Sequence, residues 1–412
     1  MQDAEVIILV DDPDAREVHA INQVFGRILG WRIAITTERE TARASSRPVI
    51  DRSDVPLGMG WRSPRALEEE TIAQPDRDPV RFTATMLRSA FHGSEHDEHG
   101  RIRSQALLVT RCGWSERPIV DEVVLAMAER MRASLPQLPP VRRTYRQVIT
   151  LDVDNGYKFL GRPWWRTTGA MVRDVLEGRG SEVSDRIAVL AGRRNDPYEI
   201  DREFVALAAA HGDRTIVNYL VAPRGPHDHA VGTGSSKMVG RMREMATKTE
   251  IGIHPSYASS ERPGTIAAER SKLERAIGAP VKLSRQHFLR FRHPDTFLEL
   301  ARCGITEDHS MGFHDAIGFR AGTCTPFPFF DEAAQQGTDL MIHPFQVMDS
   351  ALCYKMRLAP AEAIAASQRI VDRVKAVSGT FVGVWHERFL SDHGSEAGWR
   401  NVVDSIIRYA RP

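Results

Sequence analysis

The sequence predicts an α/β protein, a barrel of parallel strands with outer helices preceded by a smaller α/β domain. Three observations carry this prediction. Apolar, strand-like runs alternate with helical patterns from about residue 145 to the C-terminus, as repeated β-α units require. A β-α-β pattern opens the chain. Between the two, Pro136-Gln137-Leu138-Pro139-Pro140 interrupts both kinds of periodicity, which divides the chain into residues 1–140 and 145–412. At 412 residues, 42% hydrophobic and 26% charged, there is ordinary globular material for both parts.

The elements follow from local pattern. Val6 to Val10 is an apolar β-rich run, and Asp11-Asp12-Pro13 suits a helix start because proline needs no backbone donor there. Val18, Ile21, Phe25, Ile28 and Leu29 recur at helical spacing, and Trp31 to Ile35 reads as a second strand. The two aspartates would also suit a receiver-like acidic pocket, a less economical reading than a helix start. Residues 41–81 are polar, rich in Arg, Pro and Ser, and read as loops with short elements. A helix is expected over 82–91, then a charged turn at 93–101, then an amphipathic helix from Pro118 to Leu135. His92, His96 and His99 sit near acids, but no apolar element presents them, which favours a solvated loop over a metal site.

In the second part, strands are expected at 148–153, 215–221, 250–254, 281–288 and 379–386. Helices are expected from Trp164 to about Leu176, after Asp201, and over 235–248, 266–277 and 398–409. No internal repeat is visible.

Charge and cysteine usage exclude several classes. Lys+Arg 55 against Asp+Glu 54 gives a formal net charge of +1, so the whole-chain balance recruits neither nucleic acid nor an anionic membrane. No apolar run is long enough to span a bilayer, and the acidic start is unlike a secretory signal. The expectation is a soluble, cytoplasmic protein of unknown oligomeric state. Cys112, Cys303, Cys324 and Cys353 lack C-x-x-C spacing and fit reduced thiols.

The chemistry concentrates at strand ends. The run from Val148 to Val153 stops at Asp154-Asn155-Gly156, and Asp152 and Asp154, two apart, leave the strand on one face. Such a pair suits one cation, with the second carboxylate ionised as a base; solvated strand-end aspartates capping a helix are the plainer alternative. In a parallel barrel the working residues lie at the C-terminal ends of strands. That rule gathers His254, His287 with Arg285 on its strand, and His386. Two imidazoles and one carboxylate would hold a catalytic divalent ion with positions left open. Arg320, between glycines, would close over a ligand or site carboxylate, or else pair structurally with Asp308 or Asp315. Tyr157, Phe288 and Trp385 flank the site, either to stack on a sugar or to pack within the barrel.

The order of Thr150-Leu151-Asp152-Val153-Asp154, Glu250 to Tyr257 with His254-Pro255, Gly278-Ala279-Pro280-Val281 ahead of Arg285, and Val384-Trp385-His386 resembles the polysaccharide deacetylase family, the NodB-homology group or carbohydrate esterase family 4. The resemblance covers roughly residues 145–410 and is similar to the branch with an extra N-terminal α/β domain. It implies a distorted (β/α) barrel of about seven strands and metal-dependent removal of an N- or O-linked acetyl group from a carbohydrate. By position it assigns Asp152 as base, Asp154 and His254 as metal ligands, Arg285 as the residue orienting the base, and His386 as general acid. Two positions depart from the pattern. Ala258 stands where a second metal histidine is usual, and His287 stands where a proline is usual. His287 is therefore expected to supply the missing imidazole. Zinc is the first expectation for the metal, with Co2+, Ni2+ or Fe2+ compatible with the same donors. Two further readings stay open: a degenerate barrel that binds carbohydrate without catalysis, and a hydrolase of a non-sugar C–N bond.

Overall fold

The computed structural model describes residues 3–51 and 72–412. Part of the loop region expected at 41–81, residues 52–71, lies outside them. The N-terminal part holds a parallel three-stranded sheet in the order β2-β1-β3, from β1 (Val6–Leu9), β2 (Ile33–Thr36) and β3 (Val49–Asp51). β1 is buried on both faces, which is why it is a continuous apolar run. The following helix starts later than expected, at Ala15, because the Asp14 carboxylate caps it by accepting from the Glu17 amide at 2.8 Å. Asp11 pairs with Arg39 at the surface, 2.8 Å apart.

The second part is a nine-stranded sheet. Its strands are β4 (Arg146–Val153), β5 (Arg214–Tyr219), β6 (Glu250–Ile253), β7 (Leu283–Ser284), β8 (Glu307–Asp308), β9 (Phe327–Asp331), β10 (Gln336–Ile342), β11 (Val347–Met348) and β12 (Thr380–His386). They lie in the order β11-β12-β4-β5-β6-β7-β8-β10-β9, and every pair is parallel except β9 with β10. β10 and β11 lie toward opposite ends of this order yet are joined by residues 343–346, a link that spans at most ~14 Å. Along that link the His343 amide donates to Asp308 O (2.8 Å) and the Gln346 amide to Val382 O (3.1 Å). One segment thus serves both sides, and the sheet curls round on itself. The observed sheet differs from a seven-strand barrel chiefly because the β9–β10 hairpin adds an antiparallel edge.

Strand alternation sorts the side chains. Leu151, Val153, Val217, Tyr219 and Trp385 belong to the large core between sheet and helices, whereas Val148, Ile216, Val382, Val384 and Phe345 form a smaller cluster on the inner face. Each fully buried aliphatic or aromatic side chain contributes about 1.5–3 kcal/mol to this packing. The helices outside the sheet include Asp201–His211, Ser236–Ala246, Thr265–Ile277, Pro360–Ala376 and Trp399–Tyr409, close to expectation. Helix Gly180–Leu190, which follows Trp164–Leu176, was not legible in the sequence. The strand expected at 281–288 shrinks to β7, because the chain turns at His287–Leu289 with φ of 60° at Phe288 and 53° at Leu289.

Candidate active site

The ladder register brings the proposed residues to one end of the sheet. His386 on β12 pairs with Asp152 on β4, and Asp152 pairs with Asn218 on β5, so these three side chains share the inner face. Asp154 follows β4, His254 follows β6, and Arg285 follows β7, with its amide bonded to Ile253 O at 3.0 Å. Asp152, Asp154, His254, His287 and His386 line a cavity of about 370 Å3 at the C-terminal ends of the strands, whereas Asn218 and Arg285 are fully buried outside its lining.

Asp152 is almost fully buried and held from two sides. Arg285 Nη1 donates to its Oδ1 at 2.9 Å and Asn218 Nδ2 donates to the same oxygen at 2.8 Å. Arg285 is itself fixed, donating through Nη1 to Thr150 Oγ1 (2.6 Å) and through Nε to His309 O (2.9 Å). Burial works against a charge here, but the Arg285 guanidinium and nearby imidazoles outweigh it and hold Asp152 below the ordinary carboxylate range. The result is a positioned, ionised carboxylate.

Asp154, His254 and His287 each present a ligand atom within 4.8 Å of the others. Asp154 Oδ1 lies 3.4 Å from His254 Nε2 and 3.6 Å from His287 Nε2. Arg388 Nη1 donates to the other oxygen, Oδ2, at 2.7 Å, while Oδ1 is buried without a hydrogen-bond partner. The outer nitrogens are committed elsewhere: His254 Nδ1 faces Arg285 O at 2.6 Å, and His287 Nδ1 faces Asp228 Oδ1 at 3.0 Å. Each imidazole therefore directs Nε2 inward with its orientation fixed from behind, the arrangement metal-ligating histidines use. Ligand atoms of a tetrahedral ion at about 2.1 Å lie roughly 3.4 Å apart, so an orphaned buried carboxylate oxygen with two nitrogens at these distances fits one. Ala258 lies in a short turn, Tyr257–Ser260, and His287 from the neighbouring strand end occupies the cluster.

Burial pushes His254 down, but the Asp152 and Asp154 carboxylates override it and raise its pKa, an attraction equally available to a divalent cation. His287 is lowered, with burial outweighing Asp228. His386 behaves differently. Burial opposes its charge, yet Asp349, 2.6 Å from Nδ1, overrides this and its pKa is raised to about 9. The Asp349 carboxylate also accepts from the His386 amide at 2.7 Å, so it fixes ring and backbone together.

Several expectations are corrected. Trp385 points away from the cavity into the helix-side core, because it alternates with His386 along β12. Tyr157 is buried in that same core, beneath the Arg241 guanidinium. Neither lines the cavity. Arg320 is buried too, donating to Ala90 O (3.0 Å) and Gly312 O (3.2 Å), and it anchors loops. Burial lowers its pKa to about 10. Phe288 does line the cavity, against His99, His227 and Tyr257.

The turn expected to be solvated enters the site. His99 and Arg101 line the cavity, and Arg101 Nη1 donates to Phe288 O at 3.0 Å. Arg101 is locked by Asp97, which accepts from its Nε and Nη2 at 2.8 and 2.6 Å. Left-handed non-glycine residues cost on the order of 1–3 kcal/mol each, and Arg101 braces the turn that contains two of them. Sequence reasoning also missed Asp228, Asn218, Asp349 and Arg388, which carry no motif of their own; Asn218 is on β5 and Arg388 on the short helix Glu387–Leu390. A second group, Glu307, His309 and His343, lies where Arg214 donates to both Glu307 oxygens, at 2.7 and 3.2 Å. That carboxylate already has a cationic partner.

No protein-family model matches the chain, and no curated protein matches its sequence. Solved structures similar to it include one from Mycobacterium smegmatis described as a polysaccharide deacetylase, with 12% identity, a TM-score of 0.39, and coverage of 66% of this chain and 88% of that one. Another, from Parabacteroides distasonis, is described as a glycoside hydrolase/deacetylase, with 10% identity, a TM-score of 0.37, and coverage of 66% and 67%. A 4-alpha-glucanotransferase from Thermococcus litoralis shows 13% identity and a TM-score of 0.38 over 65% of this chain and 37% of that one.

Proposed function

We propose that the protein is a metal-dependent hydrolase that removes an acetyl group, N- or O-linked, from a carbohydrate or glycan precursor. The observation that carries this reading is the buried, unpaired Asp154 Oδ1 facing two imidazole nitrogens, with a separate ionised carboxylate, Asp152, and a separate cationic imidazole, His386, around the same cavity. Asp154, His254 and His287 are the residues that would hold the ion. When bound, such an ion supplies Lewis acidity to an acyl oxygen and to water.

The remaining work belongs to the chain. Asp152, ionised and fixed by Arg285 and Asn218, is placed to take a proton from the attacking water. His386, oriented and kept protonated by Asp349, is placed to give a proton to the departing amine or hydroxyl. The opposed environments of these two groups support Asp152 as base and His386 as acid. Phe288, which lines the cavity and packs against Tyr257, gives it an aromatic face suited to a sugar.

Released acetate, assayed with acetylated amino sugars and sugar esters after loading with zinc, cobalt or nickel, tests the reading. Turnover that falls by ~10²–10⁴ in Asp152→Asn is the expected result. Bound metal with no acetate from any such substrate would turn the reading toward another C–N bond.

A further inference from the structure

Among the described residues, the exposed large hydrophobic side chains other than Tyr354 and Tyr409 all lie on helices Trp164–Leu176 and Gly180–Leu190. Trp164 is 79% exposed, Leu176 81% and Val175 63%, with Trp165 and Val172 each at 55%. At 3.6 residues per turn these five fall within an arc of roughly 120° on one side of the first helix. Asp174 is the residue that this helix buries. Ile187 and Leu190, both 47% exposed, extend the apolar surface onto the second helix.

The charge on this pair is sorted rather than balanced. Its acids are already engaged: Asp174 by Arg179 and Arg186, Glu177 by Arg179, Glu182 by Lys158, and Asp185 by Arg194. Arg166, Arg173 and Arg193 make no ion pair among the described residues, and Arg162 donates to the carbonyls of His229 and Tyr157. Arg166 and Arg173 lie about 60–80° of arc beyond the apolar stripe, and Arg166 stacks on the Trp165 ring at 4.7 Å. An apolar face with two tryptophans, edged by arginines that lack carboxylates, is complementary to an anionic lipid headgroup layer over acyl chains. No helix among the described residues is long and apolar enough to cross a membrane, so the association is with the surface. Whole-chain net charge hides this, because the excess is local. Beneath the pair, a cavity of about 910 Å3 lined by Arg162, Arg166 and Arg173 reaches Asn155 and Arg388, which also line the candidate active site.

We propose that the helix pair spanning residues 164–190 docks this protein on an anionic phospholipid bilayer, with Trp164, Trp165 and Leu176 inserted at the acyl boundary and Arg166 and Arg173 on the headgroups. The inference stands apart from the hydrolase reading, since its test needs no turnover.

The test is co-sedimentation of the full chain with phosphatidylcholine vesicles and with vesicles containing about one third phosphatidylglycerol. Selective binding to the anionic vesicles, weakened by high salt, is expected. Trp164→Ala/Trp165→Ala is expected to lower the partition coefficient about tenfold or more, with Arg166→Ala/Arg173→Ala acting similarly on the anionic vesicles. These side chains are exposed, so thermal melting of the variants should match wild type. Failure of the wild type to bind anionic vesicles, or equal binding by the tryptophan variant, would overturn the proposal. So would a wild-type dimer that the tryptophan substitutions dissociate, which would assign the face to a second copy of the chain.

Discussion

At the residue scale, the same residue types take opposite roles according to what stands behind them. His254 and His287 are aimed by a carbonyl and a carboxylate that fix the outer nitrogen, whereas Asp349 turns His386 into a cation. The folded pKa of His386, about 9, lies above the ordinary 6.5, so its stabilising contribution is complete below pH 6.5 and is lost as pH rises through 9. The acid form that the proposed leaving-group protonation requires follows the same sign. The alkaline limb of kcat/KM is expected near pH 9, and Asp349→Asn should move it down by about one unit or more; an unmoved limb would detach Asp349 from the role. Arg320 shows the converse lesson. Its place between glycines drew attention in the sequence, but both bonded partners are carbonyls in the core. Arg320→Met should lower the denaturation midpoint, by the equivalent of about 1–3 kcal/mol, and leave metal content unchanged. Asp152, Asp154, His254 and Arg285 were legible because strand-end position and family-like order coincide. Asp228 and Asp349 were not, because each acts through a histidine distant in sequence.

At the scale of elements, the parallel register explains why the inner face could be anticipated in part. Once β4 and β12 are strands, alternation places Asp152 and His386 on one side, and the same alternation sends Trp385 to the other. Tyr157 and Trp385 were assigned to the site by proximity in sequence; period two overrules this for Trp385, and Tyr157, in the loop after β4, packs into the helix-side core. Gly252 on β6 gives a test of this packing. A Cβ there would collide with the side-chain amide of Asn218, which holds Asp152. Gly252→Ala is expected to cut turnover while metal content is retained; wild-type turnover would show that the Asn218 contact is dispensable. The arm at residues 97–101 was illegible for a different reason. Its charged sequence satisfies a solvated turn equally well, and only long-range bonds, from Arg101 to Phe288 O, from Arg290 to His99 O and between His99 and Tyr257, make it part of the site.

At the scale of the molecule, the α/β class and the alternation of elements followed from periodicity, whereas the closing geometry did not. Segment 336–348 spans both sides of the sheet through short ladders that leave little pattern in a sequence. The junction between the N-terminal helix Ile119–Ser134 and loop 323–325 was equally hidden. There the fully buried Asp121 accepts from Arg143 (2.9 Å), Thr323 Oγ1 (2.7 Å), the Cys324 amide (3.1 Å) and Thr325 Oγ1 (2.5 Å). Asp121→Ala would strand a guanidinium and three donors, and a loss of about 3–5 kcal/mol in denaturant unfolding is expected; a loss under ~1 kcal/mol would remove this junction from the account. The central claim, however, is that His287 completes a metal site in which the usual second-motif position is Ala258. Elemental analysis of the purified chain beside His287→Ala and His254→Ala, without chelator, tests it most directly. About one divalent ion per wild-type chain, lost in both variants, is the predicted result. Full metal content in His287→Ala, or none in wild type even after zinc, cobalt or nickel is added, would contradict it.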